Sequence, residues 1–135
     1  MKLRDHLILA GLCILLWAVF YILGRPYDYF MNFSRELKLV LILSTLFGII
    51  PVIAIITLSL IQVPYVRASV WFAFYGSVPL FVLDYITVGL IGSEGIQFLA
   101  SHWFLTLGYI AVWGVFPLIG KALETLSLKI LKQKF

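Results

Sequence analysis

The chain has one cysteine, Cys13, and two histidines in 135 residues, and only 12% of those residues are charged. A single thiol excludes both an internal disulfide and a Cys-x-x-Cys redox pair. Cys13 is therefore read as a small buried apolar residue. His6 and His102 are expected at opposite ends of the protein, and no metal-ligand spacing accompanies either, so neither a metal nor any other cofactor is expected. Also missing are a Gly-x-Ser-x-Gly elbow, a His-Glu-x-x-His helix and a metal-binding acidic pair within one helix. The glycine-rich Gly89 to Gly95 stretch contains an acid and lacks a following lysine, which makes it a turn, not a phosphate loop. An enzyme is thus left without an evident nucleophile or metal site.

Scarcity of charge bounds the class of protein. Soluble domains carry about 25% charged residues, whereas here 63% are hydrophobic. One domain is expected, all α, with nearly the whole length spent on membrane spans and no soluble catalytic domain. The net charge of +4 sits at the ends of apolar runs and not in a patch interleaved with exposed aromatics, so no nucleic-acid partner is expected.

Four apolar stretches stand out: Leu7 to Gly24, Leu37 to Gln62, Arg67 to Gly92 and Ile96 to Gly120. Each reaches or approaches the roughly 20 residues that cross a bilayer as a helix. Lys2 and Arg4 before the first resemble a signal peptide, but no small-x-small site follows, so a retained span is expected. Pro51, Pro79 and Pro117 mark kinks. Tight turns at Val63 to Val66 and Ser93 to Gly95 make the last three helices antiparallel neighbours. Lys2, Arg4, Arg67, Lys121, Lys129, Lys132 and Lys134 fall on one side, against Arg25, Arg35 and Lys38 on the other. By the positive-inside rule both termini are cytoplasmic, in the cell membrane if the source is bacterial or archaeal. Residues 121–135 form a basic amphipathic tail with Leu123, Leu126 and Ile130 on one face. It either lies on anionic headgroups through Lys121, Lys129, Lys132 and Lys134 or simply prolongs helix four.

Asp84 lies inside the third stretch. An acid in hydrocarbon costs roughly 2.5–3.5 kcal/mol on insertion scales, so it is kept with a partner or a task. Ser69, Ala73, Ser77 and Leu80 share its helical face, and small residues permit close helix packing. Asp84 is therefore expected to face inward. On helix four His102, Thr106, Tyr109, Trp113 and Pro117 share a face. With a turn centred on Ser93, Asp84 and His102 are equidistant from it, roughly 10 to 14 Å inside the boundary at 1.5 Å per residue, and are expected to pair. Tyr85, Thr106, Tyr109 and Trp113 extend this polar cluster. Helix two offers Ser44, Gly48, Pro51, Ser59 and Gln62 as a third wall; on helix one His6, Ala10, Cys13, Trp17 and Gly24 align. In the first outer loop Arg25, Tyr27 and Asp28 either anchor at the interface, with Arg25 and Asp28 paired, or cover the mouth of a cavity.

These features support an accessory or assembly subunit that packs against another membrane protein or a second copy of itself. The alternatives are a ligand-binding or proton- or ion-coupled transport protein, dimeric and built on Asp84 and His102, and an intramembrane lipid-modifying enzyme using the same pair as acid and base.

Overall fold

The computed structural model describes residues 1–61 and 64–135, with the side chain of Tyr29 excepted. Gln62 and Val63, the expected end of helix two and start of its turn, lie outside the described residues. The described residues are helical, without a strand. Four helices are long and apolar enough to cross a membrane: α1 (Leu3–Gly24), α2 (Arg35–Leu60), α3 (Tyr65–Leu90) and α4 (Trp103–Lys134).

Local chemistry explains where the helices start and bend. Ser34 caps α2, its hydroxyl accepting the Leu37 N–H at 3.2 Å, which satisfies one of the orphan donors of a helix start. Pro51 has no N–H to give to the preceding turn. The ladder widens just before it into a π-helical segment, Thr45–Ile49, in which the Ile50 N–H reaches the Thr45 carbonyl. Pro79 has the same effect in α3, which kinks at Gly76 and Ser77 between the segments Tyr65–Tyr75 and Val78–Asp84. The Ser77 hydroxyl donates back to the Ala73 carbonyl at 2.9 Å, closing part of the gap that the kink opens. A second π-helical segment, Tyr85–Leu90, begins directly after Asp84. Pro117 lies within α4 without interrupting it.

Two boundaries differ from the sequence expectation. The fourth span does not begin at Ile96: a 3₁₀ turn, Gly95–Gln97, and one helical turn, Phe98–Ser101, come first. His102 then breaks the helix with φ −105° and ψ 50°, and α4 starts at Trp103. Thr106 stabilises the break by donating across it to the Leu99 carbonyl at 2.7 Å. At the other end α4 runs without interruption to Lys134, so residues 121–134 prolong the helix and do not form a separate one. Lys121, Lys129, Lys132 and Lys134 are exposed on that extension.

The broadest helix contact joins the Tyr65–Tyr75 segment of α3 to α4. Paired residues descend along α4 as they ascend α3: Ser69 lies against Gly120, Phe72 stacks on Phe116 at 4.4 Å, and Ser77 bonds Trp113. Along α1 the numbers rise with those of α3, His6 meeting Tyr75 and Trp17 meeting Asp84. The core draws on all four helices, with Leu9, Cys13, Ala54, Phe72, Ala73, Val112 and Phe116 buried together. Helix α1 packs chiefly on α3, while α2 packs chiefly on α4. The space left between α1 and α2 is where the candidate site lies.

Candidate functional site

A cavity of about 270 Å³ occupies that space. Leu16, Trp17 and Phe20 of α1 form one side, and Leu41, Ile42, Thr45 and Leu46 of α2 the other. Leu80, Asp84 and Val88 of α3 and Leu105, Gly108, Tyr109 and Val112 of α4 form its floor. Most of this surface is aliphatic or aromatic. Both π-helical segments contribute to it, Thr45 and Leu46 from one and Val88 from the other. Such wide turns recur at functional sites because they re-aim a helix face locally.

Asp84 is only 8% exposed. Its Oδ1 accepts the indole N–H of Trp17 at 2.7 Å, and its Oδ2 accepts the hydroxyl of Tyr109. One carboxyl group thereby ties α1, α3 and α4 together, one oxygen meeting an indole N–H that can only donate and the other a hydroxyl. With both oxygens hydrogen-bonded, the acid is accommodated in an otherwise apolar interior.

The expected hydrogen bond between Asp84 and His102 is replaced by this arrangement. Asp84 pairs with Tyr109, seven residues beyond the partner that a turn centred on Ser93 gives. The turn Phe98–Ser101 and the break at His102 supply the extra length. His102 is buried, 3% exposed, and its Nδ1 lies 3.0 Å from the Ser101 hydroxyl and 3.6 Å from the Glu94 carboxylate. Ser101 gives its one proton to Glu94 over 2.6 Å, so Nδ1 of His102 is the donor in the remaining contact.

The other expected site residues divide. Tyr109 is in the site. Tyr85, on the π-helical segment, stacks against Phe81 and Phe98 with ring centroids 6.3 and 6.1 Å away. Thr106 serves the helix break. Trp113 is 45% exposed and donates to the Ser77 hydroxyl at 2.9 Å, away from the cavity. Arg25, Tyr27 and Asp28 are exposed on a 3₁₀ segment, Arg25–Phe30, and among the described residues no ion pair joins Arg25 to Asp28. The loop reaches the cavity through Phe30 instead. Ser69, Ala73 and Ser77 are buried with Asp84, and Leu80 lies on the cavity wall. On α2 the expected wall is turned outward: Ser44, Gly48 and Ser59 are exposed. Helical spacing puts them on one face but does not decide whether that face turns inward.

Trp17 is the site residue that the sequence did not single out. Its position on the same α1 face as Cys13 was the available signal. His6 belongs to a different cluster, its Nδ1 3.1 Å from the Tyr75 hydroxyl and its ring edge-on to Trp71. Comparison of the chain with protein-family models, curated proteins and solved structures gives no match, so its chemistry and geometry alone define the site.

Proposed function

We propose that this chain is a membrane-embedded binding protein whose four helices cross the bilayer as an antiparallel bundle and hold an apolar ligand between α1 and α2. The carrying observation is the largely aliphatic cavity beside Asp84. Ligand sites are typically concave and apolar with a few placed polar groups, and bundle cores are common places for them. Asp84 serves as a tether in this account. With Trp17 on one oxygen and Tyr109 on the other, it holds the walls in place instead of carrying protons or cations. The excess of lysine and arginine at the termini places both in the cytoplasm, and the lysines of the α4 extension attract anionic headgroups there.

Gly108 provides the test. It lines the cavity, and a Cβ built on it meets nothing within 4 Å, so a side chain can start there without a clash and grow into ligand space. Extracted from its membrane with the surrounding lipid and dissociated in a mass spectrometer, the wild type is expected to release a small apolar molecule that Gly108→Phe does not carry. Indistinguishable profiles from the two proteins would overturn the proposal.

A second role, assembly with another membrane chain or a second copy, is favoured by the exposed small face of α2 at Ser44 and Gly48. Small residues on a lipid-facing helix allow close packing. Gly48→Leu is expected to shift a complex to smaller mass in mild detergent without altering ligand retention; an unchanged complex would count against this role.

A further inference from the structure

We propose that the cavity takes a single-chain amphiphile with an anionic headgroup, the headgroup at Lys38 and the chain running along α2 toward Ile50. This inference rests on the binding role above and adds the chemical class of the ligand.

Two ionisable side chains of opposite sign line the cavity, and they are not equivalent. Asp84 is buried, with both oxygens engaged by Trp17 and Tyr109. It has no oxygen left to engage a ligand headgroup. Lys38 is half-buried near the start of α2, its ammonium 5.9 Å from the centroid of the Phe104 ring. Among the described residues it has no carboxylate partner within ion-pair distance. A cation over an aromatic face in a partly desolvated mouth is a receptor for an anion.

Below it the wall is continuous. Lys38, Leu41, Ile42, Thr45, Leu46 and Ile50 line the cavity, covering a length of about 18 Å at the rise of an α-helix. Thr45 does not compete for a polar ligand group, since its hydroxyl donates to the Leu41 carbonyl at 2.8 Å. What the wall presents to a ligand is therefore almost entirely hydrocarbon.

The size suits one chain. A volume of about 270 Å³ holds about nine groups of water or methylene size, at about 30 Å³ each. That is room for much of one acyl or prenyl chain within the walls. With the headgroup at the outer end of α2 and the tail directed to the bilayer centre, the ligand keeps the orientation of a lipid in that leaflet.

The test uses the full chain in nanodiscs of zwitterionic lipid and three probes of one chain length: dodecanoate, dodecanol and dodecylammonium. Dodecanoate is expected to bind wild type about tenfold more tightly than dodecanol, the ratio that about 1.4 kcal/mol of charge-assisted interaction gives. Lys38→Gln is expected to remove that preference by weakening dodecanoate about tenfold more than dodecanol, and Lys38→Arg to retain it. Equal binding of dodecanoate and dodecanol, tightest binding of dodecylammonium, or equal losses for both probes in Lys38→Gln would overturn the headgroup assignment and leave the binding role standing. Absence of binding by all three, with Gly108→Phe indistinguishable from wild type, would overturn the binding role itself.

Discussion

Asp84→Ala is expected to lower stability by up to about 2–6 kcal/mol, because it removes the shared acceptor of two part-buried donors at about 1–3 kcal/mol each. The Trp17 indole N–H and the Tyr109 hydroxyl both end on that carboxylate. Asp84→Asn behaves differently. A carboxamide oxygen accepts the indole N–H, which can only donate, while its amino group donates to the Tyr109 hydroxyl, which can reverse its role. The asparagine variant is therefore expected to keep most of the stability that the alanine variant loses. Unfolding in a detergent–denaturant titration measures both. A double-mutant cycle of Trp17→Phe with Asp84→Ala, which removes the acceptor outright, isolates the α1–α3 bond, with a coupling energy of about 0.5–3 kcal/mol expected for residues in direct contact. An alanine variant as stable as wild type would show that the carboxylate ties nothing together.

The second large effect is expected at Gly120, where α4 passes closest to the start of α3. A Cβ there would lie 2.7 Å from Ser69 Cβ and 2.8 Å from the Tyr65 carbonyl oxygen. A backbone oxygen cannot rotate away, so α3 and α4 must separate. Overpacking of this kind costs about 1–3 kcal/mol, and Gly120→Leu exceeds Gly120→Ala. Trimming the facing side chain with Ser69→Gly recovers part of the loss by removing one of the two obstacles. Gly108→Ala on the same helix is the control: its Cβ enters open space, and relief of glycine's helix penalty favours it by up to about 1 kcal/mol. Opposite signs at the two glycines distinguish close packing from a general aversion to substitution in α4.

The four long helices were legible in the sequence because charge is sparse along their apolar length, and the inward face of α3 because its small residues repeat at helical spacing. The partner of Asp84 was not. Predicting His102 required a tight turn centred on Ser93, but the chain spends Gly95 to Ser101 on additional turns before α4 begins. That displacement brings Tyr109 to the level where His102 was expected. Trp17 was hidden for another reason, since the connection of residues 25–34 and the whole of α2 separate α1 from α3 in the chain and leave their mutual register open. The small residues Ser44, Gly48 and Ser59 of α2 do share a side, but that side is exposed; spacing groups residues on one face without saying whether the face turns inward. The cavity itself has no linear signature. It arises from α1 packing on α3 while α2 packs on α4, a property of pairwise packing that no single helix pattern encodes.

Photolabelling tests the central claim most directly. A fatty acid carrying a diazirine on its chain, irradiated with the protein in a bilayer, is expected to mark α4 at Leu105, Gly108 and Val112, which face the cavity. It should spare Ile110 and Leu118, which are 67% and 69% exposed on the outer face of the same helix. Labelling that follows outward exposure, concentrated at Ile110 and Leu118 and insensitive to Gly108→Phe, would contradict a ligand held between α1 and α2.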